Sequence, residues 1–144
     1  AKIRKLKLRS TQPFSVISPG KQWIINNCDF HENYCMWLKK LPGQYTFILN
    51  LKNKKAVSKL VNAGSDTLGV RIPSHWFSEV VFEMGFPVVT TSVNKTGEPF
   101  MTSLDDLDSD IKHKVDFIIY ENEKKGKPST LVVFDNDKTE VKER

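Results

Sequence analysis

The stretch "YTFILNLK", residues Tyr45 to Lys52, decides how the chain is built. It is rich in aromatic and β-branched residues and has no glycine or proline, so it reads as a strand. Its centre, Phe47 to Leu49, is continuously apolar rather than alternating. A run of that kind belongs to a sheet covered on much of both faces. Similar short runs recur in both directions: "PFSVI" (13–17), "TLGVRIP" (67–73), "PVVTT" (87–91), "DFIIYE" (116–121), "STLVVF" (129–134) and a last short strand within "DNDKTEVKER". Helical patterns alternate with them. "KQWIINNC" follows the first strand, and Tyr34, Trp37, Leu38 and Leu41 then fall at helical spacing. Asp29, with Glu32 three residues on, predicts an N-cap and capping box for that second segment. Ser74 is expected to cap "HWFSEVVFEMG", which ends at Gly85, and Ser103 to cap "SLDDLDSDIKHKV" with Asp106 three residues later. "NKKAVSKLV" reads as a basic, partly helical connector. Strands and helices alternate without a repeat or a low-complexity linker, which predicts one mixed α/β domain over 1–144.

Composition narrows the function classes. The 144 residues carry 22 Lys and Arg against 17 Asp and Glu, a formal net charge of +5, which favours anionic partners. The lysines are spread along the chain, so charge alone favours a solvated surface over an anion-binding one. The two cysteines, Cys28 and Cys35, and three histidines fit no usual zinc spacing, and both cysteines read as thiols of a reducing compartment. No metal site is expected. No apolar stretch is long enough for a membrane span and no signal-peptide core appears, which predicts a cytoplasmic protein without membrane contacts. Neither cysteine pairs with a histidine beyond its own local segment, and nothing supplies an oxyanion hole, so covalent catalysis has no support.

The stretch "TTSVNKTGEPFMTSLDD" (90–106) leaves a predicted strand and at once lays out hydroxyls, an amide, a lysine and a glycine. It fits a polar turn, and it equally fits the wall of a pocket for phosphate or a small polar metabolite. Polar and cationic residues also bracket the other strands: Lys7 and Arg9, Thr67 and Arg71, Ser129 and Thr130. In α/β sheets, loops at strand ends converge where ligands bind. There is no P-loop and no dinucleotide fingerprint.

Four segments, "PGQYTFIL", "DTLGVRIPSH", "FPVVTTSVNKTGEP" and "GKPSTLVVF", occur in the order and approximate spacing of the YrdC/YciO family, and "KLR" before "PFSVI" resembles its Lys-x-Arg segment. The resemblance runs from about Lys5 to Arg144. It implies a twisted, open, mixed sheet with helices on its faces. It also implies the activity of threonylcarbamoyl-AMP synthase: L-threonine, bicarbonate and ATP, with Mg²⁺ accompanying the ATP, give threonylcarbamoyl-adenylate for modification of a tRNA adenosine. Residue by residue, it implies ATP contacts at Lys7, Arg9, Thr67, Asn94, Thr102 and Arg144, and threonine contacts at Arg71, Ser92 and Ser129. Such chemistry needs positioning and charge stabilisation rather than a nucleophile.

The chain departs from the family pattern in three places. A "TDTxYG"-like strand-and-helix motif expected at the family's N-terminus is not found, so the domain is expected to be N-terminally incomplete. "TTSVN" stands where "PSAN" is usual, and Phe134 stands near a common acid. The "PGQYTFIL" form and the loose spacing of "KLR" resemble the YciO branch more closely. They leave a second expectation, a non-catalytic module binding tRNA or double-stranded RNA.

Overall fold

The computed structural model describes residues 2–124, 126–135 and 138–143. These form two compact units. One comprises Ala1–Gln12 and Thr91–Lys127, the other Pro13–Thr90 and Pro128–Arg144. In chain order the elements are α1 (Lys2–Leu6), β1 (Ser15–Ile17), α2 (Lys21–Asn27), a 3-10 turn (Glu32–Tyr34), α3 (Cys35–Leu38), β2 (Tyr45–Asn50), α4 (Lys59–Asn62), β3 (Thr67–Arg71), α5 (Phe77–Met84), β4 (Val88–Thr90), α6 (Ser109–Lys112), β5 (Thr130–Asp135) and β6 (Lys138–Lys142).

All six strands lie in the second unit, in one open mixed sheet of order β4-β1-β3-β2-β5-β6. β1 runs parallel to β3, and β2 parallel to β5. The β1–β4, β2–β3 and β5–β6 pairs are antiparallel. Strand side chains alternate between faces. On one face lie Val16, Phe47, Leu49, Leu68, Val70 and Val132, all at most 1% exposed. They join Ile24 of α2, Tyr34 and Leu38 in a single core cluster. Phe134 sits on this face with its ring 4.3 Å from Tyr34, 5.3 Å from Phe47 and 6.4 Å from Trp37, centroid to centroid. An acid there would lie unpaired among aromatic rings, so the phenylalanine follows from the packing.

The opposite face is mixed and half-buried. It carries Ser15 of β1, Thr46 and Ile48 of β2, Thr67, Gly69 and Arg71 of β3, and Leu131 and Val133 of β5. Gly69 is required by its neighbour. A Cβ there would stand 2.5 Å from Ser15 Oγ and 3.2 Å from Ser15 Cβ.

Several local expectations are corrected. Asp29 caps no helix; its backbone N–H donates to Asn50 O (2.9 Å), and the 3-10 turn begins after His31 with no side-chain cap. Ser74 is not the cap of α5, which starts after Trp76, although Gly85 ends it as expected at φ 72°. β4 is half-buried at a sheet edge rather than buried. Ser103 is not a helix cap: Asp106 accepts from the N–H groups of Thr102 and Ser103, Ser103 Oγ accepts from Asp105 N (3.3 Å), and no helix follows directly. Helix α6 starts at Ser109, and Asp108 caps it by accepting from Ile111 N (3.0 Å). The run "DFIIYE" forms no strand. Among the described residues, no backbone–backbone hydrogen bond involves Phe117 to Tyr120. A strand is made by a partner as well as by propensity, and propensity is all that the sequence displays.

Candidate functional site

In the sheet unit, three adjacent strands bring Arg71, Thr46 and Ser129 to one end of the mixed face. Phe47 pairs with Val70, so the next pair along that antiparallel register is Thr46 with Arg71. Tyr45 pairs with Thr130, which places Ser129 one residue before β5 at the same end. Thr130 N donates to Gln44 O (3.0 Å) and closes the two strand starts. The hydroxyls of Thr46 and Ser129 lie 2.7 Å apart, and both residues are buried, at 1% and 6% exposed. An arginine and paired hydroxyls at one end of a sheet face are residue types that suit a carboxylate, which only accepts hydrogen bonds. Thr67 shares the face with Arg71 but lies at the other end of β3, about 13 Å away at ~3.3 Å per residue. Its hydroxyl is 3.0 Å from that of Ser65, in the turn that enters the strand. The structure thus brings Arg71 and Ser129 together and holds Thr67 apart from them.

In the other unit, Lys7 is the organising residue. It is 4% exposed. Its ammonium donates to Ser92 O (2.6 Å), Asn94 O (2.6 Å) and Asn94 Oδ1 (3.0 Å). Its own carbonyl accepts from Thr96 N (3.0 Å) and Thr96 Oγ1 (2.9 Å). Burial first, and then the charge of Arg9, hold the Lys7 pKa below its ordinary value. Ser92 Oγ donates to Asn94 Oδ1 (2.6 Å), and Asn94 Nδ2 donates to Glu98 O (2.6 Å). Both groups facing Oδ1 are donors and the group facing Nδ2 is an acceptor, so the carboxamide has one orientation. Lys7, Ser92 and Asn94 therefore come together, with the lysine built into the loop that carries the other two.

Arg9 lies nearby in sequence, its N–H donating to Arg4 O (3.0 Å). Thr102 is turned to Asp106, donating to that carboxylate through both its N–H (3.0 Å) and its hydroxyl (3.0 Å). Lys95 bridges Asp108 and Asp110, each at 2.9 Å, and these bonds raise its pKa. Arg144 lies outside the described residues. Sequence reasoning missed Thr46. The available signal was one hydroxyl inside an apolar run, between Tyr45 and Phe47, where valine would otherwise serve. It also missed Lys95, whose acidic partners lie 13 and 15 residues away.

A family model described as "Telomere recombination", that of the Sua5, YciO and YrdC proteins, matches residues 1–144. The chain belongs to the Sua5/YciO/YrdC family. A Methanocaldococcus jannaschii protein, provisionally named a threonylcarbamoyl-AMP synthase, is 35% identical over 102 residues, covering 69% of this chain and 46% of its own length. The threonylcarbamoyl-AMP synthase of Idiomarina loihiensis is 33% identical over 86 residues, 59% of this chain and 45% of its own. This family member thus spans less than half the length of these two relatives. Among solved structures, Sua5 of Pyrococcus abyssi complexed with L-threonine superposes with a TM-score of 0.82 at 23% identity, over 97% of this chain and 42% of that one. Escherichia coli YciO gives 0.82 at 21% identity, over 99% and 70%. The mixed open sheet is therefore the Sua5/YciO fold. No helix among the described residues is long and apolar enough to cross a membrane.

Proposed function

We propose that this chain carries the synthase-like site of its family, joining L-threonine, bicarbonate and ATP into threonylcarbamoyl-adenylate with release of pyrophosphate. The observation that carries this reading is the cluster at the end of the sheet, a cation and two buried hydroxyls on adjacent strands, in a member of a family whose curated relatives bear that activity in their names. Arg71 takes the amino-acid carboxylate, and Ser129 donates a hydrogen bond to it. Within the sheet unit, Thr67 is proposed as a nucleotide contact. Within the other unit, whose loop Lys7 holds in shape, Asn94, Arg9 and Thr102 are proposed as nucleotide contacts and Ser92 as a threonine contact.

The reaction needs a carbamate, formed from the threonine amine and bicarbonate, to attack the α-phosphate while the bond to pyrophosphate breaks. Side chains that hold the two ends and offset negative charge suffice for this. Among the described residues no three His, Cys, Asp or Glu side chains converge on a point that could hold a metal. In this reading Mg²⁺ accompanies the ATP phosphates. Transfer of the product to tRNA falls to partners. The net charge of +5 favours a second reading, in which the domain binds tRNA or double-stranded RNA without catalysis.

Calorimetric titration separates the two. ATP with Mg²⁺ is expected to bind saturably and more tightly when L-threonine is present, and pyrophosphate release is expected to depend on bicarbonate. A folded chain that takes up neither ATP nor L-threonine overturns the synthase reading. RNA binding that falls steeply with salt would then support the second.

A further inference from the structure

We propose that the groove beside α5, within the sheet unit, is a docking site for a basic polypeptide segment that carries an apolar side chain next to Lys or Arg. The groove holds about 430 Å³, between α5 and the link from β1 to α2. It is separate from the Arg71 cluster. Ile72, which lines the groove, follows Arg71 directly but belongs to the core cluster on the opposite face of the sheet. The proposal therefore goes beyond the synthase reading and does not rest on it.

The hydroxyls in the groove walls are spent on nearby backbone. Ser18 Oγ donates to Gly20 O (2.8 Å), and Ser78 Oγ donates to Pro73 O (2.7 Å). What remains is apolar surface and charge. Phe82, in the wall, is 65% exposed, and Phe86, four residues on, is 56% exposed. Glu79 and Glu83 line the same wall one helical turn apart, a spacing at which like charges repel. Among the described residues neither carboxylate has an ion-pair partner. Lys21, on the facing wall, is left to meet the carbonyls of an occupant. The sequence around α5 points the same way. The chain has a net charge of +5, yet no Lys or Arg stands between Arg71 and Lys95. An acidic, apolar helix in a basic chain complements a cation with an apolar neighbour. It repels RNA phosphates and anionic lipid, and a second α5 packed on the first would bring four carboxylates together. The phenylalanines extend the apolar surface past the groove, so a peptide covers what a small amine would leave bare.

The test pans the wild-type chain against random dodecapeptides displayed on phage. The affinity of an enriched peptide is then measured by fluorescence anisotropy for wild type, Phe82→Ala, the double variant Glu79→Gln/Glu83→Gln, and Gly20→Leu. Enriched peptides are expected to carry Lys or Arg beside an apolar residue. Phe82→Ala and the double variant are each expected to weaken binding about tenfold, the loss that marks an anchor residue. Gly20→Leu blocks the groove from the facing wall without touching α5. Gly20 has extended backbone, φ 162°, that any residue adopts, and a Cβ there would stand 3.8 Å from Phe82 Cδ2, an ordinary contact. Melting temperatures are expected to stay within about 2 °C of wild type, since the side chains changed on α5 are not in the core. No enriched peptide, enriched peptides without a cation, or binding that all three variants leave intact would overturn the proposal. With no peptide enriched, uptake of the chain by phosphatidylcholine vesicles that Phe82→Ala abolishes would assign the face to lipid instead. A wild-type dimer in sedimentation that Phe82→Ala dissociates would, in the same case, assign it to a second copy.

Discussion

Gly69 and Ser15 show how one side chain dictates another across a sheet. The serine occupies the space a Cβ at Gly69 would need, 2.5 Å from its oxygen. Gly69→Ala is therefore expected to destabilise the sheet unit by about 1–3 kcal/mol, the usual cost of overpacking. Ser15→Gly in the same chain should recover most of that loss. Urea denaturation measures both, and an alanine variant as stable as wild type would refute the clash. The cysteines differ just as sharply. Burial, and then the charge of Asp29, push the Cys28 thiol up to about 12, whereas Cys35 is exposed. Since the thiolate is the reactive form, a thiol reagent at pH 8 should modify Cys35 alone in the folded chain and both cysteines after unfolding. Rapid labelling of Cys28 in the native protein would contradict its burial.

Short elements in the first unit lean on carboxylates. Asp106 is held below the ordinary carboxylate range by the backbone N–H groups of Ser103 and Thr102, and Asp108 by the Lys95 ammonium and then the N–H of Ile111. A carboxylate with a lowered folded pKa contributes stability above its unfolded value, 3.8 here, and loses that contribution as pH falls through the folded value. The difference in denaturation midpoint between wild type and Asp106→Asn should therefore be full at neutral pH and close below 3.8. A difference that stays constant into acid would show that the charge of Asp106 has no part in the turn. The Asp108 cap also shows why helix starts are hard to read in this region. Asp105, Asp106 and Asp108 all stand near Ser103, and only packing around Ile111, at 6% exposed, selects Asp108.

Over the whole molecule, apolar residues divide between a buried core and exposed surface. Phe117 is 78% exposed and Ile119 60%, within a run that would pass for a core strand by composition. Exposed apolar runs of this kind bind hydrophobic dyes. Phe117→Ser with Ile119→Ser should lower the fluorescence of 8-anilinonaphthalene-1-sulfonate on the native protein and leave its melting temperature within about 2 °C, since surface changes away from packed contacts cost little. A large fall in melting temperature would place these side chains in the core instead.

What could be read from the chain followed local rules. "YTFILNLK", "TLGVRIP" and "STLVVF" became β2, β3 and β5, adjacent interior strands of the sheet, because apolar, β-branched runs are the segments a sheet can bury. Gly85 ended its helix because a left-handed residue there favours glycine. Four ordered motifs were enough for the family, since motif order is written along the chain. Tertiary structure alone decided the rest. "DFIIYE" has the composition of a strand and none of its pairing. Ser74 and Asp29 have the chemistry of caps and no helix end to cap. The pairing of Thr46 with Ser129, the separation of Thr67 from Arg71 on a shared face, and the burial of Lys7 beneath its loop all depend on register and on contacts between distant residues. Propensity and capping act within a few residues of chain, whereas pairing and burial are settled by whatever segment arrives from elsewhere.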